Sequence, residues 1–268
     1  MRIVISHDID HLSVKEHYKD LIVPKFIGLC TLELLKNRID ARTYKKRLLG
    51  LLRRNAWNNL RELLEFDKEH KTKSTFFVAM DNALGLSYSR KQAEEAIRTI
   101  KESGFSVGVH GIEYMEKDGI IEEYDAFKRI SGLDKFGVRM HYLRKNTETL
   151  KLLADAGYIY DATEYSEELA QPYKVDGMLE VPLHIMDGYL FLLQRRDLSL
   201  EQGIEYTKKM LDAAEKEDKI VTILFHQRYF SDEFPTYRRW YEWLIKYASD
   251  KGIKFASYTD LAAEAQLG

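Results

Sequence analysis

The sequence predicts an α/β fold: a distorted (β/α) barrel of about seven strands with a helical insertion after the first strand. Short β-rich runs alternate with amphipathic helical patterns, and ionisable residues recur where those runs end. About sixty residues separate the first run from the second, which is more than a βα connection needs. The chain of 268 residues can form one large core, so we expect a single domain over residues 1–268.

Composition excludes several classes of protein. The net charge of −2 argues against nucleic acid as the main partner, because phosphate binding needs a clustered positive field. Cys30 is the only cysteine, so neither an intrachain disulfide nor a thiolate metal cluster can form. No segment approaches the roughly 18 apolar residues of a membrane span, and the apolar N-terminal run is too short for a signal peptide. We therefore expect a cytoplasmic enzyme or binding protein of unknown oligomeric state.

Each predicted strand is a short run rich in β-branched or aromatic residues. Helical patterns such as SRKQAEEAIRTIKESG lie between the strands, with apolar residues recurring on one face and Gly104 as the stop. Residues 179–193 interrupt the alternation, and Asp187-Gly188 between two apolar runs predicts a hairpin turn. The predicted strands are Arg2–Ser6, Ser74–Ala79, Phe105–Val109, Phe136–Arg139, Tyr158–Asp161, Ile220–Phe225 and Ile253–Ala256.

The insertion, residues 12–56, has a helical and basic pattern. LIVPKFIGLCTLELLK and the segment that begins YKKRLLGLLRR are both typical of helices. From Lys36 to Arg54 there are eight Lys or Arg residues and one acidic residue, Asp40. Such a segment could contact an acidic glycan or a phospholipid surface. A solvated helix face is the more common meaning of a charge run, and we favour it from sequence alone.

Ionisable side chains follow five of the predicted strands. A single histidine near a strand end is usually a hydrogen-bonded structural residue. In α/β barrels, however, the rim at the C-terminal ends of the strands is where ligands bind. The same pattern at five strands therefore predicts a functional site. Its candidates are His7, Asp8, Asp10, His110, Arg139, His141, Asp161 and His226.

These residue types suit a metal-dependent hydrolysis. Asp10 and His110 are the natural pair for zinc or a related divalent ion, because carboxylate and imidazole are common ligands of such ions. The ion can bring the pKa of a nearby water to about 7. Asp8 could take the proton, kept ionised by the guanidinium of Arg139. His226 could protonate a leaving group. This set predicts hydrolysis of an acyl bond through a tetrahedral intermediate.

Several motifs resemble those of the polysaccharide deacetylases, carbohydrate esterase family four. STFFVAM is similar to the Thr-Phe-Phe strand of that family, and HGIEY to its His-x-x-x-His motif. RMHY is similar to Arg-x-Pro-Tyr, and LFH to the final Leu-x-His. The resemblance covers residues 1–11 and about 57–260, with the basic insertion outside it. It implies a distorted α/β barrel that removes N- or O-acyl groups from sugars with a divalent metal, zinc being favoured.

The resemblance also implies a role for each site residue. The second histidine of His-x-x-x-His is replaced by Tyr114, whose phenol is a poor zinc ligand. Either His7, His11, His141, Glu113 or water substitutes for it, or the metal is held weakly. The implied roles are Asp8 as base, Asp10 and His110 as metal ligands, Arg139 as the residue that orients the base, Asp161 as the acidic partner of that arginine, Tyr142 as an oxyanion contact, Leu224 as an acyl-methyl contact, and His226 as general acid.

Two other functions remain open from sequence. Tyr114 favours a catalytically inactive, deacetylase-like sugar-binding protein, since fold does not guarantee function. IVISHDIDH also resembles the Asp-x-Asp opening of haloacid-dehalogenase phosphatases, which use Mg²⁺. That family needs Thr or Val where Leu12 stands, and the later motifs offer His and Arg rather than Lys and an acidic pair. For a deacetylase, the expected partner is an acylated sugar, a glycan, or a nucleotide- or lipid-linked sugar precursor.

Overall fold

A mostly parallel sheet forms the centre of the computed structural model, which describes residues 1–52 and 57–267. The end of the predicted insertion, residues 53–56, lies outside the described residues. The strands are β1 (Arg2–Ile9), β2 (Thr75–Val78), β3 (Ser106–Gly111), β4 (Val138–Met140), β5 (Tyr160–Asp161), β6 (Tyr173–Val175), β7 (Met178–Glu180), β8 (Ile185–Met186), β9 (Ile220–Leu224) and β10 (Lys254–Ala256).

Helices surround this sheet. Three short 3-10 turns, Val14–His17, His141–Leu143 and Gln227–Tyr229, follow β1, β4 and β9. The α-helices are α1 (Ile22–Leu35), α2 (Ala41–Gly50), α3 (Leu60–Glu69), α4 (Arg90–Glu102), α5 (Lys117–Ser131), α6 (Thr149–Ala156), α7 (Asp187–Phe191), α8 (Leu200–Lys216), α9 (Pro235–Asp250) and α10 (Tyr258–Leu267).

The sheet order is β6-β7-β5-β4-β3-β2-β1-β9-β8, and β10 pairs with the start of β1. Every pairing among these described strands is parallel except β6 with β7. The sheet is curled into a half-barrel, which confirms the predicted distorted α/β barrel with helices inserted after the first strand. The sequence patterns omit β6, β7 and β8, which have two or three residues each and lie between residues 173 and 186, where the predicted alternation of strands and helices is interrupted.

The burial of each element explains its sequence pattern. Nearly all of β1 is buried, as expected for a parallel strand covered on both faces. Helix α4 begins with a capping box between Ser89 and Gln92 and buries four apolar residues on one side. Gly104 follows this helix at φ +90°, a conformation that favours glycine.

The prediction of a hairpin turn at Asp187-Gly188 is wrong. These residues begin helix α7, and the Asp187 side chain is buried against the backbone that follows β9. The antiparallel pair is instead β6–β7, joined by Asp176 and Gly177 with φ of 46° and 88°. Two residues with positive φ are the usual connection of a tight hairpin.

The insertion packs onto the body of the protein through a few buried side chains. Phe26 of α1 contacts Trp57 with ring centroids 5.3 Å apart. Arg47 of α2 forms an ion pair with Glu33 and donates to the Glu233 carbonyl, 2.8 Å away. Helix α1 thereby forms one wall of the pocket at the C-terminal ends of the strands. None of the described helices has the length and apolar character needed to cross a membrane.

Candidate active site

The C-terminal ends of β1, β3, β4 and β9 meet at one pocket with a volume of about 300 Å³. Parallel strands bring their C-terminal ends to the same edge, so residues far apart in the chain become neighbours here. The structure therefore brings most of the predicted site residues together. Those that line the pocket are Asp8, Asp10, His110, His141, Tyr142, Leu224 and His226.

Asp10, His110 and His141 form a compact group of three potential metal ligands. Nε2 of His110 lies 3.3 Å from Oδ1 of Asp10 and 3.0 Å from Nδ1 of His141. Nδ1 of His141 lies 3.6 Å from the same Asp10 oxygen. One carboxylate oxygen and two imidazole nitrogens are a common donor set for zinc. His141, which stands where the resembling motif has proline, thus supplies a third potential ligand beside Asp10 and His110.

The hydrogen bonds of the two rings show that this group fits a divalent ion. Nδ1 of His110 donates to the Arg139 carbonyl at 3.0 Å, and Nε2 of His141 donates to the Leu84 carbonyl at 3.3 Å. Because a carbonyl only accepts, each ring in its neutral form directs the lone pair of its other nitrogen at the other ring. Oδ1 of Asp10 is buried and has no hydrogen-bond partner in the described part of the chain. A cation between the three atoms would satisfy all of them.

The electrostatics of the group keep His141 in the form that a metal ligand requires. Burial lowers the pKa of His141 to about 4, although the charge of Asp10 raises it, so the ring is neutral at pH 7. Burial also opposes the charged form of His110, but Asp8 and Asp10 outweigh it and raise the pKa of that ring. Burial would raise the pKa of Asp10, and the three neighbouring histidines hold it well below its usual value.

Asp8 lies beside a fixed positive charge. The Arg139 guanidinium is fully buried, and Nη1 lies 3.4 Å from Oδ1 of Asp8 and 2.8 Å from Oγ of Ser6. Nε of Arg139 donates to the Ala162 carbonyl at 3.0 Å, and Nη2 donates to the Tyr258 hydroxyl at 2.6 Å. The second oxygen of Asp8 lies 3.9 Å from Nε2 of His110. The carboxylate therefore lies between the guanidinium and the candidate metal ligands.

His226 is paired with a carboxylate that the sequence patterns did not identify. Asp187 accepts from Nδ1 of His226 at 2.6 Å and from its backbone N–H at 2.7 Å. Burial opposes the imidazolium, but Asp187, with Asp10 and Asp8, raises the pKa of His226 to about 9. Nε2 lies 3.7 Å from Asp10. His226 is thus a cationic acid at neutral pH. The signal for Asp187 was its position after the apolar run LHIM, at the end of β8.

Among the described residues Asp161 has no direct ion pair with Arg139, but its charge is one of those that raise the pKa of that guanidinium. Its carboxylate accepts from the backbone N–H and the hydroxyl of Thr163, at 3.1 and 2.7 Å. The facing residue on β7 is Glu180, also fully buried, and burial raises the pKa of both carboxyl groups. The direct contacts of the Arg139 guanidinium are with Asp8 and with the oxygen atoms of Ser6, Ala162 and Tyr258.

The other candidate ligands are engaged elsewhere. Tyr114 lies under the Arg144 guanidinium, 5.0 Å from the ring centroid. His7 is bound to Asp67 at 3.0 Å and to the Phe225 carbonyl, and His11 to Nε2 of His17 at 2.9 Å. Glu113 accepts three backbone N–H groups of its own loop. Of the residues named from the sequence, His141 is the one that the geometry joins to Asp10 and His110.

The two predicted substrate contacts lie beside these groups. Leu224 ends β9 and is buried, with its side chain in the pocket lining. Tyr142 is 63% exposed and has φ of 57°, so a non-glycine residue occupies the left-handed region at the rim of the pocket. Such strained conformations often occur at functional sites.

Solved structures with a similar fold match nearly the whole chain. A candidate polysaccharide deacetylase from Mycobacterium smegmatis is 19% identical with a TM-score of 0.67, over 99% of this chain and 90% of that one. The PuuE allantoinase is 16% identical with a TM-score of 0.65, over 98% and 88% of the two chains. A carbohydrate esterase family four pseudoenzyme from Bacillus anthracis is 12% identical with a TM-score of 0.51, over 97% and 65%.

These likenesses show that the chain has a polysaccharide deacetylase-like fold. Identities this low establish the fold and leave the activity to be argued from the site. No protein-family model and no curated protein matches the chain.

Proposed function

We propose that this protein is a metal-dependent hydrolase that removes an N- or O-acyl group, with acetyl favoured, from a sugar or a glycan precursor. One observation carries the proposal: a carboxylate beside a buried guanidinium, a metal-ligand triad and a cationic histidine surround one pocket. These are the groups that hydrolysis of an acyl bond needs. The deacetylase-like fold supports the carbohydrate substrate class.

The candidate ligands of the ion are Asp10, His110 and His141. Zinc is favoured because two nitrogen atoms and one oxygen atom suit it well. When bound, a divalent ion supplies Lewis acidity, polarising a carbonyl and lowering the pKa of a water molecule.

The remaining steps belong to side chains of the pocket. Asp8 accepts a proton from the attacking water, whose oxygen forms a bond to the acyl carbon, and Arg139 stabilises the carboxylate during this transfer. His226 then donates its proton to the leaving nitrogen or oxygen as the acyl bond breaks. Asp187 orients the ring and keeps it charged. Leu224 contacts the acyl methyl group, and the backbone N–H of Tyr142 faces the oxyanion.

The alternative of an inactive sugar-binding protein has less support from the geometry than from the sequence. It depended on Tyr114, which left one metal ligand missing. His141 provides the third potential ligand, so the absence of the motif histidine does not itself imply loss of the ion. The phosphatase alternative is not supported, since the fold is deacetylase-like and Asp8 lies against Arg139.

Acetate release from N- and O-acetylated sugars and oligosaccharides by zinc-loaded protein tests the proposal. Asp8→Asn should keep the ion and lose turnover by at least about 100-fold, the usual range for a general base. Asp10→Asn should lose both the ion and turnover, and His226→Ala should slow turnover. His70→Gln, at the end of α3, is the matched control and should resemble the native protein.

The different effects expected of Asp8→Asn and Asp10→Asn test the separate roles of the two carboxylates. If Asp8→Asn loses the ion while Asp10→Asn keeps it, the two roles are reversed. If all three site variants match the native protein on every acylated sugar tested, the pocket binds without catalysis and the proposal is wrong.

A further inference from the structure

Exposed apolar side chains are concentrated in the insertion. Twelve large hydrophobic residues are exposed among the described residues, and seven of them lie within residues 18–52. Isolated exposed leucines are normal on a soluble protein, but a cluster usually marks an interaction site. The seven are Tyr18, Leu21, Ile27, Leu32, Leu35, Leu49 and Leu52.

Helix α1 has an uncovered apolar face. It carries only two charged residues in 14 positions, a composition typical of a helix buried on all sides. Only Phe26 and Cys30 are buried, however. With 3.6 residues per turn, the side opposite these two carries four residues at spacings of four, seven and three. They are Leu21, Lys25, Leu32 and Leu35, with the leucines 80%, 40% and 74% exposed.

Cations accompany these leucines. Lys25 lies on the same face of α1, and on α2 the exposed residues Arg42 and Lys45 lie on the same side as Leu49. Arg38 and Lys46 have carboxylate partners, Asp197 and Asp232. Lys25, Lys36, Arg42 and Lys45 are exposed, and none forms an ion pair in the described part of the chain.

We propose that this surface binds an anionic lipid bilayer. We call it the insertion face: Leu21 immediately before α1, Lys25, Leu32 and Leu35 of α1, Arg42, Lys45 and Leu49 of α2, and Leu52 after α2. Leucines beside cations are typical of helices that lie in a membrane interface, where leucines enter the headgroup–acyl boundary and cations bind phosphates. A second copy of this chain would bring cations against cations in a two-fold contact, which disfavours self-association through this face.

The opposite side of the same helix lines the pocket. Ile22, Phe26 and Cys30 lie in the pocket lining together with Asp10 and His226, and Lys25, at the edge of the insertion face, also reaches that lining. Because a helix is only about 10 Å across, a bilayer in contact with the insertion face lies close to the pocket. An acylated sugar attached to a lipid could then reach the candidate ligands from the membrane surface. This extension rests on the proposed function, whereas the bilayer contact does not.

Vesicle sedimentation of the full chain tests the contact. We expect binding to vesicles of 30% phosphatidylglycerol in phosphatidylcholine, and weaker binding to phosphatidylcholine alone. Binding should fall as salt rises from about 0.05 to 0.5 M, because the charge interactions are screened. Combined substitution of Leu21→Gln, Leu32→Gln and Leu35→Gln should lower the partition coefficient by at least about tenfold. Leu267→Gln, on a leucine that is 91% exposed in α10, is the matched control and should bind as the native protein does.

The cations are tested separately. Arg42→Glu with Lys45→Glu should reduce binding to the anionic vesicles more than tenfold, since each cation near such a surface contributes roughly fivefold. Lys208→Glu with Lys254→Glu, two exposed lysines outside the insertion, should have little effect. Circular dichroism checks that every variant is folded, which we expect because all the substituted side chains are exposed.

Three results would overturn the inference. The first is that the native chain does not bind the anionic vesicles. The second is that the leucine variant binds them as well as the native chain does. The third is that the native chain does not bind vesicles but forms a dimer in sedimentation equilibrium, and that the leucine substitutions dissociate this dimer. A second copy of the chain would then cover the insertion face. None of these results affects acetate release from soluble sugars, so the proposed function is tested separately by the acetate-release assay.

Discussion

Nε2 of His110 faces Nδ1 of His141 at 3.0 Å, with both other ring nitrogens donating to backbone carbonyl groups. This relationship explains how the site can hold an ion although Tyr114 replaces the motif histidine. The second imidazole comes from the turn after β4 rather than from the loop after β3.

His141→Ala should lower zinc affinity by more than tenfold, because it removes one of three ligands and leaves Asp10 and His110 to hold the ion. Tyr114→Phe is the matched control, since the phenol lies beside Arg144 and away from the triad. Isothermal titration with zinc measures both. Equal affinity of His141→Ala and native protein would contradict the assignment of His141.

Asp187→Asn should shift the alkaline limb of the pH–rate profile to lower pH. The general acid must be protonated, and its protonated fraction falls as pH rises through its pKa. Since Asp187 is the largest factor that raises the pKa of His226 to about 9, its loss lowers that pKa. Profiles of kcat measured from pH 6 to pH 10 test this shift. A limb that stays in place in Asp187→Asn while disappearing in His226→Ala would show that Asp187 does not control this histidine.

Glu123 should make the protein less stable as pH rises. Its carboxylate accepts the backbone N–H of Ile112 and is buried, and burial raises its pKa from 4.5 to about 7. The folded state therefore holds this proton more tightly than the unfolded state does. The stabilisation is complete below about pH 4.5 and is lost as pH approaches 7.

Denaturant unfolding of Glu123→Gln and native protein across this range measures the effect. The native free energy of unfolding should fall relative to that of the variant by on the order of 3 kcal/mol between pH 4.5 and 8. Glu122→Gln, at the exposed neighbouring position, should follow the native curve. A constant difference between Glu123→Gln and native protein would show that Glu123 titrates normally.

Gly137→Ala should destabilise the fold by about 3 kcal/mol, because an added Cβ would collide with the ring and the carbonyl of Tyr160 on the neighbouring strand. Gly28→Ala provides the contrast. Nothing lies within 4 Å of a Cβ there, and alanine in a helix interior is favoured by about 0.5–1 kcal/mol. Thermal unfolding should show opposite shifts, and similar shifts for both variants would contradict the close approach of β4 to β5.

The residues at the strand ends could be identified from the sequence, because the apolar pattern that predicts a strand, and the point where that strand ends, depend only on neighbouring residues. Asp10, His110 and His226 each follow a recognisable apolar run, and parallel strands carry such residues to one edge. Asp187 follows an equivalent run, but β8 has only two residues and the Asp-Gly pair resembled a hairpin turn. Asp161 ends a two-residue strand, and its role as the acidic partner of Arg139 stays a prediction.

The sequence by itself determined the α/β fold, the edge at which the site forms and the basic, apolar composition of the insertion. Only the tertiary structure decided that His141 joins Asp10 and His110, that Asp187 pairs with His226, and that one face of α1 is exposed. The reason is physical. Patterns along the chain record which way side chains point within one element, whereas ligand sets, ion pairs and burial depend on the distance between segments far apart in sequence.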